Sequence, residues 1–137
     1  MAKTYTAPFA QTQRTGTAVV TAAVGNLASD APTGLSLIAT AGAEGALLTR
    51  LFAVPRGTVT ATGLVLFLAS GDGAIRLIDS ELMTAYTAST TTGIPETAFT
   101  NYNEGTPLRL AAGDKLYVGC LVAQGPGVVF RAEYSDF

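Results

Sequence analysis

Residues 115–134 read KLYVGCLVAQGPGVVFRAEY, and this stretch decides the fold class. Apolar side chains occupy every second position from Val128 to Tyr134, so they lie on one face of a β-strand. The same alternation runs from Leu116 to Val122. The Gly-Pro-Gly sequence at residues 125–127 is typical of a tight turn, so the pattern predicts an antiparallel hairpin.

Residues typical of turns divide the rest of the chain into further short strands. Gly113-Asp114 predicts a turn between a short strand at residues 108–110 and the strand that follows it. Ser70-Gly71-Asp72-Gly73 predicts a hairpin between arms at residues 64–68 and 75–77, and suits a turn better than a calcium or phosphate loop. Further strands are predicted at residues 17–24, 35–40 and 46–54, and residues 58–62 extend the strand at Leu64.

About eight short strands separated by turns predict an all-β fold, specifically an antiparallel β-sandwich or jelly-roll-like barrel. The length of 137 residues fits one domain, which we assign to residues 17–137. Residues 1–16 are polar and show no strand period, so they predict an extended N-terminal arm that orders on another surface, or else a frayed terminus. Tyr5, Phe9 and Arg14 are the arm's candidate interface residues.

Composition indicates an assembly component. Only 13% of the residues are charged, where a typical soluble domain has about 25%, and 48% are hydrophobic. So few charges would be spread thinly over the surface, so we expect other chains to cover part of it. The eight Lys and Arg residues are scattered and the net charge is −2, which disfavours nucleic acid as a partner.

The sequence lacks the residue type that most often acts in catalysis. The sequence has no histidine, which removes the commonest general base and metal ligand. Cys120 is the single cysteine, and its place on an apolar strand face predicts a buried structural thiol. We therefore expect no enzyme activity, no cofactor and no catalytic or metal-binding residues. No apolar run is long enough for a membrane span and the N-terminus lacks a secretory pattern, so no membrane partner is expected.

Two places remain as candidate binding sites. Arg50 interrupts the apolar run at residues 47–54, so it is either an intersubunit contact or a rim residue; Glu44, Asp79 and Glu133 are candidate ion-pair partners. The second place is a polar loop around one aromatic residue, which suits either a sugar-binding tip or a solvent-exposed turn; its members are Asn101, Tyr102, Asn103 and Glu104.

Three stretches carry a resemblance to a known family. They are residues 48–56, residues 64–83, and residues 106–118 together with 129–133. In these Ala-, Thr- and Gly-rich strands the chain resembles head decoration, or cement, proteins of tailed bacteriophages. The resemblance implies a jelly-roll-like domain, commonly a homotrimer, that binds the major capsid protein on the outer surface of the virion and bridges capsomers. Such a protein is made in the cytoplasm of the bacterial host. The resemblance supplies no catalytic residues.

The expected function is therefore that of a structural virion protein that stabilises an assembled capsid. One alternative is a tail-fibre or other receptor- or sugar-binding β module, for which the loop around Tyr102 would be the working surface. Another is a different head or tail structural subunit, which composition does not separate from a decoration protein.

Overall fold

The computed structural model describes residues 12–137, which form two antiparallel sheets. This part of the chain contains no helix. In chain order the strands are β1 (Thr12–Val20), β2 (Ser36–Thr40), β3 (Ala46–Pro55), β4 (Thr62–Ala69), β5 (Ile75–Met83), β6 (Thr97–Ala98), β7 (Leu108–Leu110), β8 (Lys115–Cys120) and β9 (Val128–Asp136).

The strands pair in jelly-roll order. The chain forms one long antiparallel ribbon in which β1 pairs with β9, β2 with β8, β3 with β7 and β4 with β5. The ribbon is folded over so that β1, β9, β3 and β7 form the first sheet, and β2, β8, β4 and β5 form the second. The short β6 also pairs with β3. Eight strands in this order are a jelly roll, so the predicted all-β sandwich is confirmed.

The core lies between the sheets and is made of alternate residues of each strand. On β9, Val128, Phe130 and Ala132 are fully buried, which confirms the predicted buried face. On β8, the buried alternation ends at Cys120 because the strand ends there. Val122 was predicted to continue this face, and that prediction is wrong, since Val122 is 47% exposed.

The hairpin predicted across residues 125–127 is wrong. β8 lies between β2 and β4 in the second sheet, whereas β9 lies between β1 and β3 in the first. β7 pairs with β3 and not with β8. The predicted turns themselves are present, with φ of 75° at Gly113 and 90° at Gly127, but each one carries the chain from one sheet to the other. A turn signal reports only a reversal of the chain, while burial of the apolar faces selects the partner strand.

The hairpin predicted at residues 70–73 is confirmed. The Gly73 N–H donates a 2.8 Å hydrogen bond to the Ser70 carbonyl, and Gly73 has φ 79°, a conformation that glycine adopts without strain. Ala69 and Ile75 are directly paired on the two sides of this turn, which joins β4 to β5.

The predicted boundary between arm and domain at residue 16 is wrong. Residues 12–16 belong to β1, where Thr12 pairs with Asp136 and Val20 with Val128. Strand β1 ends at Val20, so residues 21–24 are not part of it. β1 is an edge strand, and most of its side chains are exposed and polar. No apolar alternation therefore marks its first half, and the sequence pattern does not show where the strand begins. Residues 1–11, including Tyr5 and Phe9, lie outside the described residues.

Candidate interaction surfaces

The middle of the outer face of the second sheet is covered by the chain itself. The segment at residues 21–35 crosses this face, and its Val24 N–H donates a 2.8 Å hydrogen bond to the Cys120 carbonyl. A β-carbon at Gly119 would lie 2.3 Å from Val24 Cγ2, so the segment packs directly on the strand backbone. Val65 and Phe67 are 1% and 0% exposed although both point away from the main core. This face is therefore a second, smaller apolar layer.

At one end of this sheet an apolar corner stays exposed. We define it as Leu82, Leu121 and Val122, whose exposed fractions are 65%, 40% and 47%. Leu82 on β5 pairs with Gly63 on β4, and the Leu121 N–H donates to the Gly63 carbonyl at 2.9 Å. A β-carbon at Gly63 would lie 2.7 Å from Leu121 Cδ1, so the Leu121 side chain lies over this glycine. The sequence pattern does not reveal this corner, because the apolar alternation from Leu116 predicts that Val122 is buried.

The outer face of the first sheet is a regular grid that stays open. Three strands, β1, β9 and β3, align their outward residues in rows. One row is Val19, Val129 and Val54; the next is Thr17, Arg131 and Phe52; the third is Thr15, Glu133 and Arg50. Val19 is 45% exposed and the Arg50 side chain 46%. We call this grid the open face.

Arg50 lies on the open face and is half exposed. Its Nη1 is 3.7 Å from Glu133 Oε2, so one of the three partners proposed from the sequence is present. Its Nη2 is closer, 2.8 Å, to Glu96 Oε1. Glu96 was not anticipated because it precedes β6, a two-residue strand with no sequence period of its own.

Two guanidinium groups stack on the Phe52 ring. The Cζ atoms of Arg50 and Arg131 lie 4.3 Å and 4.6 Å from the ring centroid. Arg131 also forms an ion pair with Glu133, and its Nε is buried with no hydrogen-bond partner among the described residues. Stacking of this kind contributes about 0.5–1 kcal/mol at an exposed site. It also holds Phe52 at 7% exposure on the outer side of the sheet.

Arg14, another predicted interface residue, lies on β1. It forms an ion pair with Asp136, whose side chain is 7% exposed, while the Arg14 side chain is 51% exposed. Asp136 Oδ1 also accepts a 3.0 Å hydrogen bond from the Gly42 N–H. Arg14 therefore neutralises a buried carboxylate at the edge of the sandwich, and its role in an interface stays a prediction.

The loop at residues 101–104 turns its aromatic ring inward. Tyr102 is partly buried and packs against the main core. Burial, together with the charge and hydrogen bond of Asp79, raises the pKa of Tyr102 to about 12. Asn101 Nδ2 donates to both carboxylate oxygens of Asp79 at 3.3 Å, and Asn103 Oδ1 accepts from the Gly105 N–H at 2.8 Å. Asn101 thus ties the loop to β5 and Asn103 holds the loop's own turn, and sugar binding here stays a prediction.

The turns at residues 70–73 and 113–114 lie next to each other in the folded domain. The sequence predicts each turn but not their contact. Ser70 Oγ donates a 2.7 Å hydrogen bond to Asp114 Oδ1, and Asp114 Oδ2 accepts from the Ala111 N–H at 2.9 Å. Between the turns lies an open cleft of about 280 Å³ whose lining includes Lys115 and Tyr117. Asp114 is 6% exposed and uses its carboxylate to join the turns, so it is a structural residue.

The groups that carry chemistry are dispersed in the described part of the chain. Cys120 is fully buried, as predicted, and burial raises the pKa of its thiol to about 11. No group of three or more potential metal ligands comes together among residues 12–137. The same residues include no helix of the length and apolar character needed to cross a membrane.

Comparison with known proteins gives no relative. No family model matches the chain, and neither the curated proteins nor the solved structures contain a match to it.

Proposed function

We propose that this chain is a structural virion protein that binds the outer surface of an assembled phage capsid and stabilises it, without catalysis. The observation that carries the proposal is the apolar corner of Leu82, Leu121 and Val122 on a jelly roll with few charges. Leu82 is the most exposed of the large apolar side chains among the described residues. An exposed cluster of this kind is typical of a surface that another protein covers.

The proposed mechanism is mass action. A protein that binds the assembled shell and not its free subunits stabilises the assembled state by the free energy of its binding. The domain needs no moving part for this task. The Ser70–Asp114 hydrogen bond joins the turns at residues 70–73 and 113–114 at one end of the second sheet, and the strands hold the apolar corner at its other end.

The first experiment is quantitative mass spectrometry of density-purified particles from the source organism's lysate. The copy number of this chain is compared with that of the most abundant shell protein. A ratio near parity supports a surface-lattice protein. A ratio far below parity indicates a tail or fibre part, and absence from the particles contradicts a virion role altogether.

A second experiment tests the apolar corner itself. Particles that lack this chain are mixed with purified wild-type protein, with Leu82→Asp or with Ile94→Asp, and the temperature of particle rupture is measured. Ile94 is a matched control because it is an apolar residue, 54% exposed, in a different segment. We expect the wild type and Ile94→Asp to raise the rupture temperature and Leu82→Asp to fail. Equal protection by all three proteins would exclude the apolar corner as the shell contact.

A further inference from the structure

Resting on the proposed function, we propose that the capsid surface that binds this domain is itself uncharged and apolar. The contact lies at the end of the sandwich that carries the apolar corner. Removal of apolar surface from water holds such a contact together in place of ion pairs, so attachment is insensitive to salt.

Four segments of the chain meet at this end of the sandwich. Thr62, the first residue of β4, pairs with Met83, the last residue of β5. The Gln124 N–H donates a 2.8 Å hydrogen bond to the Thr21 carbonyl and so joins two more of the segments. We call this region the uncharged end and define it as residues 20–25, 57–63, 82–88 and 119–127.

The first observation is the distribution of charge. None of the residues of the uncharged end is Asp, Glu, Lys or Arg. Each of the three connections at the opposite end carries a carboxylate, and these are Glu44, Asp72 and Asp114. The nearest charged residues along the chain are Arg56, at the border of the uncharged end, and Glu81, which accepts a 3.2 Å hydrogen bond from Thr100 Oγ1. Depletion of charged residues is typical of the core of a protein interface.

The second observation is that polar groups beside the apolar corner are already paired within the chain. The Leu121 N–H donates to a carbonyl of β4 and the Val122 N–H to Thr62 Oγ1, both at 2.9 Å. Gln124 is 3% exposed, and its side chain accepts from the Thr60 N–H at 3.2 Å and donates to the Thr60 carbonyl at 3.1 Å. A partner can therefore remove water from Leu121 and Val122 without leaving these donors unpaired.

Together these observations favour one chemistry for the partner. A charged group that faced the uncharged end would lose its water and gain no opposite charge, which is costly. An apolar protein surface has no such cost and gains from the burial of Leu82, which is 65% exposed. A lipid bilayer fits less well, because surfaces that bind membranes commonly combine apolar side chains with Lys, Arg or Trp, and the uncharged end has none of these.

The experiment measures binding of the full chain to particles that lack it, by co-sedimentation at about 50 mM and about 500 mM NaCl, where exposed ion pairs are screened to very different extents. We expect the dissociation constant to rise by less than about twofold at the higher concentration, because the contact contains no ion pair to be screened. A larger weakening at high salt would show that opposite charges hold the contact. That result would overturn the proposed partner chemistry and leave the proposed function standing.

Two variants of one residue then test the sign of any charge on the partner. Leu82→Asp and Leu82→Lys should each weaken binding at least about tenfold, because a charge of either sign loses its water against an apolar surface. Ala112→Asp and Ala112→Lys are the matched controls, since Ala112 is exposed in a connection at the opposite end, and both should bind as the wild type does. Unfolding midpoints of the four variants show that each one is folded.

Other outcomes of the same series would contradict the proposal. Binding by one Leu82 variant as tight as that of the wild type would assign the opposite charge to the partner surface. Equal weakening by the Ala112 variants would place the contact elsewhere. Flotation of the wild type, but not of Leu82→Asp, with phosphatidylcholine vesicles would assign the uncharged end to a bilayer. Absence of binding to particles at either salt concentration would contradict the proposed function itself, and the proposed partner with it.

Discussion

The hydroxyl group of Ser70 donates a 2.7 Å hydrogen bond to Asp114 Oδ1, and this bond joins the β4–β5 turn to the β7–β8 connection. The two residues are 44 positions apart in the sequence. Asp114 also accepts from the backbone of Ala111, so one buried carboxylate fixes both turns at the same end of the sandwich.

Removing this carboxylate should destabilise the domain. We expect Asp114→Ala to lower the free energy of unfolding by about 2–3 kcal/mol, because hydrogen bonds to a charged group contribute about 1.5–3 kcal/mol. Ser70→Ala should lower the free energy of unfolding by a smaller amount, because Asp114 keeps its hydrogen bond to the Ala111 backbone. Urea unfolding of both single variants and the double variant gives the coupling energy. If the two single effects simply add in the double variant, the residues are not coupled.

The close approach of β2 to β1 makes Gly16 sensitive to substitution. A β-carbon at Gly16 would lie 1.9 Å from the Ile38 carbonyl oxygen, which is backbone and has little room to shift. We expect Gly16→Ala to cost about 1–3 kcal/mol of stability or more through overpacking. Gly71→Ala is the control, because nothing lies within 4 Å of its β-carbon position, and it should change stability by less than about 0.5 kcal/mol. Equal unfolding midpoints for the two variants would show that the contact at Gly16 relaxes freely.

The stability of the domain should fall at high pH because of Tyr102. Burial first, and then Asp79, raise the pKa of Tyr102 to about 12 in the folded chain, while an unfolded tyrosine titrates near pH 10. The folded state therefore holds the proton more tightly, and this stabilisation is complete below about pH 10 and is lost as the pH rises toward about 12. Ultraviolet titration of the phenolate, with Tyr102→Phe subtracted, measures the pKa directly.

Asp79→Asn separates the causes of this shift. The variant removes the carboxylate charge but leaves the burial, so the pKa of Tyr102 should move only part of the way toward its ordinary value. A wild-type Tyr102 that titrates near pH 10 would contradict its packing against the core.

Deletion of residues 1–11 should leave the domain folded and weaken its attachment to particles. The cut removes Tyr5 and Phe9 but keeps β1 complete from Thr12, so the unfolding midpoint should not change. Deletion of residues 1–16 is the contrasting variant, because it removes Arg14, the partner of Asp136, and half of an edge strand. We expect that longer deletion to lower stability. Particle binding by the shorter deletion as tight as that of the full chain would refute the role of the arm.

The sequence by itself determined several elements of this fold. Alternation of apolar residues with period two identifies β9 and β8 because each presents one face to the core, and this requirement is local to the strand. The hairpin at residues 70–73 could also be predicted, since Ser, Gly and Asp side by side specify a tight reversal between two apolar arms. The burial of Cys120 followed from the same alternation.

Only the tertiary structure decided which strands pair and which surfaces remain open. The Gly-Asp and Gly-Pro-Gly turns are both present, yet each changes sheets, because in a jelly roll every strand of the second half pairs with its counterpart in the first. The contacts of Arg50 with Glu96, of Ser70 with Asp114 and of Leu121 with Gly63 join residues far apart in the sequence. No local pattern encodes such contacts, because they form only when segments distant in the sequence become neighbours in the folded sheets.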